Sequence, residues 1–148
     1  MKFLKLTILA LVAFAFSASA QTYNLQRIGT VGGTLNIAAT STNTTMSATN
    51  GTSVFVRSLT YAAFQPTFKL TGSGTSACVF TFDTSVDGRV WAAGAFTVSV
   101  TAAGTTEVGA VSNQTLGSIG YVRLAGVTNP NASAITNLYV AVSSKLNP

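Results

Sequence analysis

The sequence predicts an all-β chain: a two-sheet antiparallel β-sandwich, jelly-roll or immunoglobulin-like (Ig-like) in plan, with about eight to ten short strands. Three observations point there. Apolar and polar residues alternate with a period of two in several stretches, most cleanly where Phe96, Val98 and Val100 face opposite Thr97, Ser99 and Thr101. Turn signals separate those stretches: Gly32-Gly33, Asn50-Gly51, Thr71-Gly72-Ser73-Gly74, Asp87-Gly88, Ala103-Gly104 and Asn129-Pro130-Asn131. Outside the first 20 residues no stretch sustains a helical period, and with only 7% charged residues the surface positions fall to Thr, Ser, Asn and Gly.

Those first residues have a different logic. Lys2 and Lys5 precede an apolar run from Leu6 to Phe16 and then Ser17-Ala18-Ser19-Ala20, the pattern of a secretory signal peptide cut between Ala20 and Gln21. The run falls well short of the roughly 20 residues needed to span a bilayer, and no Cys follows it to carry a lipid. The expected organisation is a signal peptide over 1–20 and a single β-sandwich domain over 21–148, with no membrane span in the mature chain. The expected location is secreted or extracytoplasmic, in the periplasm or at the cell surface. Of the +5 formal charge, Lys2 and Lys5 leave with the leader, so six basic residues remain against three acids, a net of +3. Arg27, Arg57, Lys69, Arg89, Arg123 and Lys145 are scattered singly, which does not make the clustered footprint of a nucleic-acid binder. A domain of about 128 residues buries roughly two-thirds of its unfolded surface and needs no disulfide.

Along the mature chain, Tyr23 to Ile28 and Leu35 to Ala39 read as short strands, the second with Leu35, Ile37 and Ala39 on one face. Thr40 to Thr52 reads as a long exposed loop or a small-residue hairpin, and Ser53 to Tyr61 as a β-branched and aromatic run. Phe64, Pro66, Phe68 and Leu70 alternate with polar residues, and Pro66 predicts an edge strand or one that begins late. A short strand is expected around Thr105 to Val108, a loose loop over Ser112 to Ser118, and strands over Ile119 to Val127 and Ile135 to Ser143. Asn-x-Ser/Thr sequons at Asn43, Asn50, Asn113 and Asn131 all fall in expected loops or turns.

The centre of the chain is a hairpin. Cys78, Phe80 and Phe82 share one strand face, opposite Val79, Thr81 and Asp83. Cys78 is expected to be a buried, inert thiol, since no neighbouring cation in sequence lowers its pKa. Asp87-Gly88 is the dipeptide of a type I′ turn, in which both residues take positive φ, and Ser85 can bond nearby backbone. Asp83, Ser85 and Asp87 also loosely suggest a calcium loop, but Gly94 stands where an EF-hand needs its bidentate Glu, so the structural turn is the expected reading.

Ser85-x-Asp87-Gly88-x-x-Trp91, followed by Tyr121-Val122-Arg123-Leu124, resembles the closing half of discoidin-type (coagulation factor 5/8 type C) β-sandwiches. It is equally similar to small sandwich modules of phage virion proteins. The match covers roughly the last half of the mature chain. The resemblance implies a non-catalytic binding or assembly role.

Chemistry narrows the function. The chain has no His, one Cys and three carboxylates, so a Ser-His-Asp or Cys-His arrangement cannot be assembled within it. Zinc sites draw on Cys, His and carboxylates, and this chain has no His. A glycosidase-style carboxylate pair would need Glu107 beside Asp83 or Asp87, which nothing in the sequence places together. The expectation is a protein without enzymatic activity, catalytic residues, cofactor or metal, with Ser85, Asp87, Gly88 and Trp91 as a structural hairpin. Its expected role is a secreted or surface structural module, adhesive or virion-like, that assembles with itself or with neighbouring surface proteins. The alternative is a carbohydrate-binding module, whose glycan would stack on an exposed Tyr23, Tyr61, Tyr121, Tyr139 or Trp91.

Overall fold

A computed structural model describes residues 23–28, 37–43, 54–56 and 61–145. The leader, the Ala20–Gln21 junction, Leu35 and the Asn50 sequon lie outside the described residues. The strands in chain order are β1 (Tyr23–Ile28), β2 (Ser41–Asn43), β3 (Val54–Phe55), β4 (Tyr61–Leu70), β5 (Ala77–Ser85), β6 (Ala92–Thr101), β7 (Val108–Gly109), β8 (Ser112–Thr115), β9 (Tyr121–Asn129) and β10 (Ile135–Lys145).

They form two antiparallel five-stranded sheets. Sheet A runs β1-β10-β4, with β7 and β8 sharing the far side of β4; sheet B runs β9-β5-β6, with β2 and β3 sharing the far side of β9. Counting each shared pair as one position gives eight positions, and the chain changes sheet at nearly every connection. That is a jelly-roll plan rather than an immunoglobulin-like one. Of the connections between successive described strands, β5 to β6 alone joins hydrogen-bonded neighbours.

The core lies between the sheets and is built from the alternation read in sequence. Phe64, Phe68 and Leu70 of β4 and Cys78, Phe80 and Phe82 of β5 are all buried. Aromatic rings bridge the layers: Phe68 meets Phe80 at 5.6 Å and Phe64 meets Phe82 at 5.4 Å between centroids, and Phe82 stacks on its cross-strand partner Phe96 at 4.8 Å. Each such contact adds about 0.5–1.5 kcal/mol beyond area burial.

Four expectations are corrected. Pro66 lies within a central strand that starts at Tyr61, because the side of β4 shared by β7 and β8 is split there: β8 ends opposite Phe64 and β7 pairs with Thr67 and Phe68. The missing N–H falls in that break. Ser112 to Thr115 is strand β8, carried by pairing to β4 rather than by its own polar residues. The strand expected around Thr105 to Val108 begins at Val108, after a tight reversal bridged between Ala103 and Thr106. Ile37 sits outside any named strand, bridged singly to Ile135.

In β10, Ile135 and Leu138 are both buried although three positions apart. A register shift between Thr136 and Tyr139, with Asn137 at φ 53, turns the phase so that Leu138, Val140 and Val142 still face inward.

Candidate functional site

The β5–β6 connection builds its own frame. Ser85, buried at the end of β5, accepts the Gly88 N–H on Oγ at 2.9 Å and gives its single proton to the Val90 carbonyl. Asp87 Oδ1 accepts the N–H groups of Arg89 at 2.8 Å and Val90 at 3.2 Å. Those backbone bonds, Arg89 first, hold the Asp87 carboxyl below its ordinary pKa. Gly88 has φ 78 whereas Asp87 stays out of the positive region, so the hairpin is a wider loop closed by side chains, not the type I′ turn expected.

Residues from the start of β9 lock the loop from beside. Gly120 donates its N–H to Ser85 O at 2.9 Å and accepts from Val56 N–H at 2.8 Å, and a Cβ there would collide with the Val86 carbonyl. The Tyr121 ring lies 3.3 Å from where a Gly88 Cβ would stand.

On the outer face of sheet B, Asp83 and Arg123 are cross-strand partners. Arg123 donates Nε and Nη2 to Asp83 Oδ2 at 3.1 and 3.0 Å, and Gly94 N–H donates to Oδ1 at 2.9 Å. Gly94 lies in a two-residue excess on β6, since Phe82 pairs with Phe96 but Thr84 pairs with Ala92. The Arg123 guanidinium also covers the Trp91 ring, 4.1 Å from its centroid.

The result is an apolar recess of about 400 Å³ between the loop and the β9 approach, with Val86, Val90, Trp91, Ala92 and Ile119 in its lining. Val86 and Val90 stand at its lip, 72% and 78% exposed. Ser85, Asp87 and Gly88 lie together in the loop, bonded through Ser85 Oγ and Asp87 Oδ1, and Trp91 stands in the wall of the recess. Alternation does not encode the Asp83–Arg123 pair, the Gly120 contact or Ile119, although with only three acids in the chain Asp83 was a usable signal.

The remaining chemical groups are engaged elsewhere. Asp83 and Asp87 are bonded as described, and the third acid, Glu107, accepts from Tyr139 OH of sheet A at 3.4 Å. Among the described residues no cluster of His, Cys, Asp and Glu has the makings of a metal site. Cys78 is fully buried, within 3.3 Å of Asn131 Nδ2 and 3.6 Å of Asn129 Oδ1, and burial pushes its thiol pKa up against the opposing Asn131 bond. Asn129 donates to Ala38 O and Ser133 O and accepts from Asn131 N–H, while Asn131 exchanges side-chain bonds with the Ser76 backbone. Asn131 was expected in a turn; there it is 4% exposed and clasps two turns together. Of the aromatic candidates, Tyr61 is 59% exposed and Tyr121, Tyr139 and Trp91 are half-buried, while the Tyr23 side chain lies outside the described residues.

No family model matches the chain, and no curated protein matches it. A solved structure reported as "Bacillus endospore appendages form a novel family of disulfide-linked pili" aligns at 12% identity over 88% of this chain and 95% of that one, with a TM-score of 0.36. A likeness so slight has no bearing on function. Among the described residues no helix is long and apolar enough to cross a membrane.

Proposed function

We propose that the mature chain is a non-catalytic structural module of an extracytoplasmic surface, working by packing against copies of itself and neighbouring surface proteins. The observation that carries this is the apolar loop tip. Val86 and Val90 stand exposed over a recess walled by Trp91 and Ile119, in a protein whose acids are tied up in hydrogen bonds. Exposed apolar surface of this kind marks contact sites. The resemblance of the Ser85-to-Trp91 hairpin to binding and virion modules supports the same class.

Light scattering of residues 21–148 across a concentration series tests it. The expected result is a mass that grows with concentration and falls when Val86 and Val90 are both replaced by Ser. A glycan array run beside it addresses the carbohydrate reading. A strict monomer that binds one glycan saturably, and loses it in Trp91→Ala, would replace the assembly reading with the sugar-binding one.

A further inference from the structure

The outer edge of β6 is left over once the hairpin and recess are accounted for. β5 and β6 keep one register from Ala77↔Thr101 to Phe82↔Phe96. The backbone bonds from Gly104 N–H to Gly74 O and from Ala102 N–H to Ser76 O fix the phase of that ladder. By the alternation of an antiparallel pair, Val100, Val98 and Phe96 turn their peptide groups toward β5, and Thr101, Ser99 and Thr97 turn theirs away. Among the described residues β6 pairs with β5 alone, and Thr97, Ser99 and Thr101 are exposed.

Proteins normally guard such an edge with charge, proline or a bulge. The excess residues around Gly94 blunt the start of β6, but Phe96-Thr97-Val98-Ser99-Val100-Thr101 has one register, no charge and no proline. It has the composition of a segment that pairs with its own kind.

We propose that this edge binds the same edge of a second copy of the chain, antiparallel about a two-fold axis at Ser99, joining both sheets B into one continuous sheet. The inference rests on the assembly reading above and names its first contact. With Ser99 opposite the partner's Ser99, Thr97 falls opposite the partner's Thr101, and every outward N–H and C=O of these residues meets a complement. Hydroxyl side chains adjoin on the outer face, Val98 lies beside the partner's Val100 on the inner face, and no charge meets its own image. The edge offers neither the charge that would recognise an anion nor an exposed ring for a sugar. A second uncharged strand of the same phase is what fits it, and the loop tip is left outward for onward contacts.

The test uses four variants of residues 21–148, with thermal melts to confirm folding. Val86→Ser with Val90→Ser should stop association at a dimer, and adding Ser99→Pro should give a monomer, because the N–H it removes points away from β5. Ser99→Lys in place of the proline sets like charges across the axis and should also give a monomer, which decides the matter if the proline variant fails to fold. Ser99→Cys oxidised with diamide should give a disulfide-linked dimer, since a hydrogen-bonded antiparallel pair holds Cα atoms about 5.5 Å apart, within disulfide reach. If the tip variant is already monomeric, or the dimer survives Ser99→Lys, the edge inference falls while the assembly reading stands. A parent protein that stays monomeric at every concentration overturns both.

Discussion

Arg123 and Asp83 face each other across β9 and β5, and the guanidinium spends both its Nε and its Nη2 on a single carboxylate oxygen. The other oxygen is reserved for Gly94 N–H, so one acid ties together two strands and the bulge of a third. Asp83 is nearly buried and the Arg123 side chain is 24% exposed, which keeps the pair less screened than an ordinary surface bridge.

Replacing Arg123 by Lys keeps the charge but loses the second bond and the planar cover on Trp91. A loss of about 1–2 kcal/mol is expected by chemical denaturation. Asp83→Asn should cost about 2–3 kcal/mol, because it leaves Arg123 without its counter-charge. If Arg123→Lys melts like the parent, the stacked pair does not hold this face together.

Gly88→Val should destabilise by about 1–2 kcal/mol through positive φ and the nearby Tyr121 ring. Gly120→Ala acts by another route, driving a methyl into the Val86 carbonyl, and should distort the loop itself. Amide shifts confined to residues 85–92 and 119–121 would report it; an unshifted loop would show that the close approach is not present in solution.

Cys78 should react slowly with a thiol reagent in the native state and fast in denaturant, because burial both shields the sulfur and raises its pKa. The native rate should stay low through neutral pH. Fast native labelling, or a disulfide-linked dimer of the parent on a non-reducing gel, would contradict this placement.

The Asp87 carboxylate is favoured in the folded loop, since backbone N–H groups bond its ionised form. Its folded pKa is depressed, so its contribution to loop stability is present above the ordinary carboxylate pKa and lost as pH falls through the lowered one. An NMR titration should place its midpoint below that of an unstructured Asp, with the Arg89 and Val90 amides moving together. A midpoint at the ordinary value would mean that the loop bonds do not persist.

The period-two faces were legible because burial imposes them: Phe64, Phe68, Phe80, Phe82, Val98 and Val140 all point where alternation puts them. What stayed hidden is what alternation does not encode. Thr84 and Ser85 are buried beside Asp83 because β5 shifts register against both neighbours there. Asn129 and Asn131 read as turn residues, and their burial follows from partners on segments far away in sequence. The turn at Asp87-Gly88 was legible as a reversal but not as a type, because its shape is set by Ser85 and Gly120 as much as by the dipeptide.

The pairing of β1 with β10 joins Tyr23 to Lys145 and Ile28 to Val140, almost the whole length of the described chain. β4, from the middle of the sequence, also takes β10 as its lateral neighbour. Sheet A therefore lacks a central strand until β10 has been synthesised, whereas the β5–β6 hairpin can close early from local contacts. Loop-closure entropy sets the order: folding should be slow for a chain of this size, in the millisecond-to-second range typical of sandwiches. A chain halted before Ile135 should hold a hairpin without a sandwich, with its apolar β4 face waiting for cover.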